Sequence, residues 1–465
     1  MIFKKSFLHP LHLLILIAFC ISMLNCTPEE EIIDFDYTNG LAFSADTILF
    51  DTVFTGVGSV TKRLKVYNPS QYAVEISSIK LGNEGTSSFQ ILVNGMAPLE
   101  AEKFLLIGKD SVLILVEVFI DPQNQNNPYL VKDSIIFETN GIKQDVKLIA
   151  WGQDAHYIGD EILACNTTWT NEKPYVIYSS ILIDTLCQLT IEKGASIYAS
   201  KGANIYAKGN IIAQGTADER IIFRNERLDP AYENVHGQWG GIWLIPGSNG
   251  NYMDFCVIRN AEYGIRIGAP DNDTIPDIII KNTIIENMSY AGILAFTSDI
   301  YAENLLVNNC IELNVGNLAG GNYTYRHCTF ANYGFNFIRQ IPSFYISDNY
   351  VLADNSVIVE DLKMQIHNSI IEGNLNDELL IDLSEGTKNK FSFTNSMFRT
   401  TLDGLDTLGN IINEEPNFME PAAYNYRLDT LSPAKDNGIN IGIDTDLDGN
   451  PRDILPDLGS YERIE

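Results

Sequence analysis

A short strand-like motif recurs along the second half of the chain, and its spacing constrains the fold more than any other feature. In each copy a small or polar residue precedes an apolar pair, and most copies end on Asn, Gly or another turn former. The small or polar residues of the copies are Cys256, Thr283, Asn304, Cys328, Asn349, Ser369 and Ser396. Successive copies lie 27, 21, 24, 21, 20 and 27 residues apart. Because one such unit cannot bury its apolar face alone, the repeat predicts a solenoid with one stacked rung per copy.

The composition of the copies favours parallel β-strands over other solenoids. The Leu-x-x-Leu-x-Leu pattern of leucine-rich repeats is absent, and so is the period of about 3.6 residues that helical repeats need. We therefore predict a right-handed parallel β-helix over residues 155–465. A column of Asn260, Asn287, Asn308 and Asn332 is expected at one corner, where asparagine tolerates left-handed backbone and amides can form ladders.

Two further regions of the chain carry a resemblance to known proteins. Residues 189–209 and 215–244, the latter with Gly-Gln-Trp-Gly-Gly, resemble the first rungs of right-handed β-helix proteins of bacterial surfaces, of the pectate-lyase-like type. Residues 432–462 resemble the C-terminal closing module of secreted bacterial β-helix proteins, although Lys435 stands where Ile is usual. The resemblance implies a fold and leaves the function open, because β-helices include lyases, hydrolases, adhesins and inert stalks.

Residues 34–154 have a different pattern and predict a separate all-β domain. Short runs of alternating hydrophobicity end in turn sequences such as Asn68-Pro69-Ser70 and Asn140-Gly141. About seven strands with frequent turns indicate an immunoglobulin-like sandwich. The Asn-Pro-Ser turn resembles that of bacterial Ig-like modules related to the Hydin type, and such modules usually space or present another domain. The predicted fold class is all-β, with this sandwich preceding the solenoid.

The first 25 residues have the pattern of a lipoprotein signal peptide. Lys4 and Lys5 precede an apolar run over 11–19 that is too short to span a bilayer comfortably. The segment ends in Met23-Leu24-Asn25-Cys26, which resembles the looser bacterial lipoboxes of the Bacteroidetes group. Asn25 departs from the Gly, Ala or Ser that the pattern prefers. The resemblance implies acylation of Cys26, and the alternative is simple cleavage that leaves Cys26 as a spare thiol.

Residues 26–33 form an acidic tether after this cysteine. Its run Glu29-Glu30-Glu31 resembles the export signal of surface lipoproteins, and the alternative is a solvated linker on a protein that faces the periplasm. Two or three acyl chains would anchor the protein stably, since a single chain binds a membrane only marginally. We therefore predict attachment to the outer membrane, with the protein displayed at the cell surface.

Charge and cysteine content exclude other classes. The chain has 60 Asp and Glu against 31 Lys and Arg, a net charge of -29, so it cannot replace the counterions around nucleic acid. Five cysteines follow Cys26, and an odd number argues against a full disulfide framework. Cys165 and Cys187 are 22 residues apart, about one rung, so a disulfide could join them.

A candidate calcium loop is the only metal motif. Asp444, Asp446 and Asp448 alternate before Gly449, as in the first half of an EF-hand loop. Leu455 stands at the twelfth position, where that loop requires Glu. The alternative is a turn that closes the last rung and is held by Asx hydrogen bonds. The sequence favours the turn and leaves calcium as the only cofactor to test.

The sequence predicts no catalytic constellation. Basic residues such as Lys281 and Arg326 look scattered, and no two are expected in one column beside acids, as a lyase would need. Glu286 and Glu372 share a column but lie too many rungs apart for the paired carboxylates of a glycosidase. Aromatic residues Trp239, Trp243, Tyr263 and Tyr290 are the candidate ligand-binding set, and the alternative is packing at rung corners.

These observations predict a non-catalytic, lipid-anchored surface protein that binds or displays a glycan or a cell-surface partner. The runner-up is a polysaccharide lyase or glycoside hydrolase on the β-helix, and a third class is a structural stalk or adhesin. An aromatic platform on one face would favour binding. Basic residues beside two or more carboxylates would favour the enzyme.

Overall fold

The computed structural model describes residues 31–97, 104–268 and 276–464. The predicted signal peptide and the predicted acylation site Cys26 lie outside these residues. The chain divides into two compact units: one contains the chain up to Asp121 together with Tyr129–Gly152, and the other contains Pro122–Pro128 and the chain from Gln153 onward. Within the described residues, no helix has the length and hydrophobicity that a membrane crossing requires.

The first unit consists of two antiparallel sheets around one core. Its strands are β1 (Ala42–Phe43), β2 (Thr47–Phe54), β3 (Lys62–Tyr67), β4 (Val74–Leu81), β5 (Phe89–Val93), β6 (Phe104–Leu106), β7 (Ser111–Val118), β8 (Tyr129–Thr139) and β9 (Ile142–Gln153). The sheet orders are β1-β3-β7-β5 and β2-β9-β8-β4-β6. Alternate residues point inward, so that Leu64, Ile114 and Leu148 are fully buried in a shared apolar cluster.

Two asparagines explain the turns that the sequence marks in this unit. The predicted hairpin β8–β9 is confirmed, and Asn140 and Gly141 at its tip have φ of 50° and 77°. At the Asn-Pro-Ser turn, the buried Asn68 amide donates to the carbonyls of Tyr72 and Leu106 and accepts from the Ser70 N–H. An aliphatic residue could not satisfy these buried backbone groups.

The second unit is a three-sided coil of parallel strands. Face A contains β10 (His156–Ile158), β13 (Tyr175–Ile177), β16 (Ser196–Ala199), β19 (Ile221–Asn225), β22 (Cys256–Arg259), β25 (Ile284–Glu286), β27 (Leu306–Asn308), β29 (Thr329–Asn332), β34 (Ile370–Gly373), β37 (Met397–Phe398) and β38 (Ile411–Ile412). Successive strands of this face come from successive turns of the chain, as the predicted one-rung-per-repeat solenoid requires.

Faces B and C complete each turn. Face B contains β11 (Glu161–Ile162), β14 (Ile181–Ile183), β17 (Asn204–Ala207), β20 (Gly241–Leu244), β23 (Tyr263–Gly268), β30 (Phe344–Ser347) and β35 (Leu379–Asp382). Face C contains β12 (Thr167–Trp169), β15 (Gln188–Glu192), β18 (Asn210–Gln214), β21 (Asn251–Asp254), β24 (Ile278–Lys281), β33 (Leu362–His367) and β36 (Lys390–Thr394). Two long strands, β26 (Ala291–Glu303) and β28 (Leu313–Arg326), run through both faces, and inward residues of all three faces form one continuous core.

The predicted column of small residues is confirmed at five of its seven positions. Strand register stacks six fully buried residues at the start of face A: Cys256, Thr283, Leu305, Cys328, Ser369 and Ser396. The hydroxyl of Thr283 accepts from the Cys256 N–H at 3.3 Å, and those of Ser369 and Ser396 accept from the N–H one rung earlier at 3.0 Å. The prediction was wrong at Asn304, where Leu305 occupies the column, and at Asn349.

An inserted hairpin explains the error at Asn349. This residue begins β31 (Asn349–Val351), which pairs antiparallel with β32 (Val357–Val359) between faces B and C and takes no part in face A. The rung that the repeat placed there does not exist. The residues between the Cys328 and Ser369 copies therefore belong to one rung that contains this insertion.

The predicted asparagine corner is confirmed at Asn260 and Asn287, and it was wrong by one residue at Asn308. Asn332 is in register with this column, but its backbone is not left-handed and its amide donates to the Cys310 carbonyl at 2.7 Å. Asn260, Asn287 and Asn309 have φ of 66°, 63° and 53°, so Asn309 replaces the predicted Asn308. The amide of Asn260 donates to Asn225 at 2.8 Å, Asn287 donates to Asn260 at 3.2 Å, and Asn309 donates to Asn287. The ladder satisfies buried amides along the corner after face A.

The C-terminal segment lies along the outer side of face A, and it does not close the end of the coil as predicted. It contains the hairpin of β39 (Phe418–Glu420) and β40 (Asn425–Leu428). Its apolar residues Phe418, Tyr426, Leu447 and Tyr461 cluster with outward residues of face A such as Leu306 and Met397. Leu402 and Leu405, which follow β37, pack instead against the coil core.

Candidate functional site

Three of the four predicted ligand-binding aromatics meet on the outer side of face B. The Trp243 and Tyr263 ring centroids are 5.7 Å apart at 84°, and Tyr263 and Tyr290 stack at 5.2 Å. Tyr206, one rung earlier in register with Trp243, extends the row at 5.7 Å. Tyr290 at the end of the row is 44% exposed. We call Tyr206, Trp243, Tyr263, Arg266, Tyr290 and Phe296 the aromatic face.

Trp239, the fourth predicted residue, is buried in the core and does not belong to this group of outer rings. Its side chain is 1% exposed, and Nε1 donates to the carbonyl of Arg259 at 2.9 Å. A ring enclosed in this way cannot stack on a ligand. Trp239 packs in the core, whereas Trp243, two glycines later in the chain, contacts the outer rings.

An arginine that the sequence did not single out lies among these rings. Arg266 follows Trp243 in register, and its guanidinium carbon is 4.2 Å from the Trp243 ring centroid, 6.0 Å from that of Tyr263 and 5.7 Å from that of Phe296. It makes no hydrogen bond or ion pair within the described residues. Cation–π contacts hold the guanidinium plane and leave its N–H groups free for an acceptor.

Two further groups lie near this arginine: the indole N–H of Trp243 and the β31–β32 hairpin. The indole N–H of Trp243 is buried without an acceptor in the described part of the chain. The Tyr350 ring of the β31–β32 hairpin contacts Phe296 edge-on at 4.9 Å, so the hairpin borders the aromatic face. Burial raises the pKa of Tyr263, while the positive charge of Arg266 lowers it, and the phenol stays a neutral donor at physiological pH.

A second set of polar residues lies on the outer side of face C. Strand register places Asp254, Lys281, Glu303, Arg326 and His367 in one column, which we call the charged column. The prediction that no two basic residues share a column beside acids was therefore wrong. All five side chains are partly exposed.

The acids of the charged column are held by neighbouring phenols and amines. Lys281 pairs with Glu303 at 2.7 Å, the Tyr301 hydroxyl donates to Glu303 at 2.7 Å, and the Tyr252 hydroxyl donates to Asp254 at 3.1 Å. Burial and then the bond to Glu303 raise the pKa of Tyr301 to about 12. Asp254 and Glu303 are two rungs apart, about 10 Å between backbones.

Glu286 and Glu372 do not form a site on face A. They share a column as predicted, but Asn308 and Ala331 intervene, so the backbones are about 14 Å apart. Glu286 pairs with Arg259 at 3.1 Å and Glu372 with Arg399 at 2.7 Å. Burial raises the pKa of Glu372 to about 7 despite that arginine.

The carboxylates of Asp446 and Asp448 in the acidic loop already have partners within the protein. The buried Asp446 carboxylate accepts from the N–H groups of Asp448, Asn450 and Glu462 at 2.8–3.0 Å. Asp448 pairs with Arg220 and Arg427, while Asp444 is exposed. No group of three or more His, Cys, Asp or Glu in the described residues is arranged to hold a metal. Calcium at this loop stays a prediction, and these bonds support the alternative of a turn.

We expect Asp446→Ala to lower the melting temperature equally with and without calcium. The change removes a buried charged acceptor of several N–H groups, worth about 1.5–3 kcal/mol. Asp444→Ala is the matched control and should change little, because its carboxylate is exposed. Differential scanning calorimetry in calcium and in chelator checks both, and a calcium-dependent rise that Asp446→Ala erases would contradict the turn.

The coil is similar in sequence to a known domain family. Residues 160–273 match the pectate-lyase-like β-helix domain family. No curated protein matches the chain significantly.

Similarity to solved structures is low. A family 123 glycoside hydrolase from Clostridium perfringens shares 9% identity over 27% of this chain and 30% of its own, with a TM-score of 0.19. The E. coli chaperone DraB shares 13% over 24% and 54%, with a TM-score of 0.18. A GH87 α-1,3-glucanase from Streptomyces thermodiastaticus shares 11% over 72% and 75%, with a TM-score of 0.27. The chain spans less than two thirds of the first two structures, and TM-scores this low support no functional argument.

Proposed function

We propose that this protein is a lipid-anchored surface protein that binds a glycan on the aromatic face without catalysis. The observation that carries the proposal is the unpaired Arg266 guanidinium held among the rings of Trp243, Tyr263 and Phe296. Sugars present both apolar C–H surface and oxygen acceptors, and a site of rings with a few fixed donors matches that combination. The exposed Tyr290 extends the contact along the coil.

Export and anchoring rest on independent features. Cys165 and Cys187 form a disulfide between adjacent rungs, and disulfides persist in oxidising compartments. The lipobox-like sequence before Cys26 supplies the anchor in this proposal. The two antiparallel sheets of the first unit support an Ig-like spacer. In proteins generally, nearly all crossovers between parallel strands are right-handed, which supports a right-handed coil here.

We expect Trp243→Ala to weaken glycan affinity about tenfold or more. The change removes one ring and the support of Arg266, together worth about 1.4 kcal/mol or more. Tyr178→Ala is the control, because Tyr178 is an exposed tyrosine of the coil outside the aromatic face. A glycan array of the fragment from Thr27 onward identifies the oligosaccharide, and calorimetry then measures both variants. Absence of any bound glycan, or equal affinity in both variants, would overturn the proposal.

We expect Cys26→Ser to release the protein from the membrane fraction. Without the thiol no acyl chain can be attached, and the predicted anchor is lost. Fractionation and intact mass of the wild type and the variant provide the measurement. Unchanged mass and membrane retention in Cys26→Ser would show that Cys26 is not acylated.

A second candidate function, hydrolysis or lysis of a polysaccharide, is favoured by the charged column. Asp254 and Glu303 flank Lys281 on one partly exposed face, which supplies carboxylates and a base to the same stretch of polymer. Reducing-sugar and unsaturated-product assays test it. Turnover by the wild type that Glu303→Gln abolishes without loss of glycan binding would favour the enzyme over the binding protein.

A further inference from the structure

Two arginines lie side by side on the outer side of face A. Arg224 on β19 and Arg259 on β22 occupy neighbouring rungs in register, because Phe223 pairs with Ile258 just before them. Arg259 pairs with Glu286 at 3.1 Å and donates to Asn234 at 2.9 Å. Arg224 makes no hydrogen bond or ion pair with any residue that the structure describes. The Nε–H groups of both arginines are buried without an acceptor there.

This arrangement is unfavourable for the protein alone. Two like charges on adjacent rungs are about 4.8 Å apart at the backbone, and each carries an unsatisfied donor. Burial first, and then the charge of Arg259, lower the pKa of Arg224, although Glu233 and Glu286 oppose this. The chain has 60 acidic residues, so carboxylates are not scarce, yet no carboxylate of the described residues forms an ion pair with Arg224.

We propose that Arg224 and Arg259 together bind one oxyanion group of a ligand, a carboxylate, sulfate or phosphate. Paired guanidiniums offer forked donors that match the geometry of such groups, and an anion that accepts from their terminal N–H groups would relieve the repulsion. Both side chains are partly exposed, so an anion in solution can reach them. The ligand is a free oxyanion or the acidic group of a glycan. The site lies on a different face from the aromatic face and does not depend on it.

Thermal melts and calorimetry at constant ionic strength test the site on the whole mature chain. The probes are inorganic phosphate, sulfate and an oligogalacturonate, with chloride as the reference. At least one oxyanion should raise the wild-type melting temperature, because a ligand that binds only the folded state stabilises it. Arg224→Gln should raise the melting temperature in chloride, since the repulsion is gone, and should abolish the oxyanion-dependent rise.

Two more variants separate this site from general charge effects. Arg224→Lys keeps the charge but loses the fork, and its affinity should fall about tenfold. Arg63→Gln removes an exposed arginine of the first unit and should leave the oxyanion effect unchanged. Binding of phosphate or sulfate identifies a free oxyanion, and binding of the oligogalacturonate alone identifies an acidic glycan. No oxyanion-dependent shift in the wild type, or an undiminished shift in Arg224→Gln, overturns the proposal.

Discussion

Replacing Glu378 with alanine is expected to remove about 3–5 kcal/mol from the free energy of unfolding. Its carboxylate pairs in two places with Arg339, at 2.8 and 2.5 Å, and neither side chain is exposed. The same carboxylate accepts from the N–H groups of Ser343 and Leu375. Alanine would leave the guanidinium buried without its counter-charge and two backbone donors without acceptors. This is the largest loss that we expect from a polar substitution in the coil.

Chemical unfolding of Glu378→Ala against Glu415→Ala measures the effect. Glu415 also pairs with an arginine, Arg399, but its side chain is 65% exposed. Exposed pairs contribute about 0–1 kcal/mol, so this control should lose little. The double variant Arg339→Met, Glu378→Leu should recover part of the loss, because apolar groups replace both charges. Equal losses in Glu378→Ala and Glu415→Ala would show that the buried pair has no special role.

The position of each rung could be predicted from sequence where a turn precedes the strand of face A. Cys256, Thr283 and Cys328 are small residues of one buried column, and the column contributes one residue per rung. One rung has a larger residue, Leu305, in this column. The preceding residue Asn304, which has φ of 49°, matches the small or polar position of the motif and was assigned to the column instead. Choosing the polar Asn304 in place of Leu305 shifted the predicted register of this rung by one residue.

The candidate sites were less readable because they depend on pairing between rungs. The sequence identified Trp243, Tyr263 and Tyr290 by residue type alone. It interpreted Lys281 as a scattered basic residue and did not single out Arg266 or Glu303, because a column can be recognised only when strand register is known. Register is hard to derive where β26 and β28 pass from face B to face C without a turn.

The position of the C-terminal segment also could not be derived from sequence. Its apolar residues, such as Phe418 and Leu447, indicate that it packs against something, but nothing in their spacing names the partner. The partner is the row of outward apolar residues on face A. In the apolar pairs Ile284–Ile285, Ile370–Ile371 and Met397–Phe398, the second residue packs inside the coil and the first packs beneath this segment.

Ile284 and Ile285 are such a pair, and they give the sharpest test of the register. Ile285 points inward, is fully buried, and stacks between Ile258 and Val307 on the neighbouring rungs. We expect Ile285→Ala to cost about 2–5 kcal/mol, because it leaves a cavity in a continuous core. Ile285→Asp should prevent soluble expression, since an unpaired charge would be enclosed.

Ile284 faces outward beneath the C-terminal segment and remains partly exposed. Ile284→Ala should therefore lose less than Ile285→Ala, and Ile279→Ala on the open outer side of face C should lose under about 1 kcal/mol. Unfolding in urea ranks the three alanine variants. A greater loss at Ile284 than at Ile285 would mean that the strand is shifted by one residue. Such a shift would exchange inner and outer side chains along the whole strand, because successive side chains point to opposite faces.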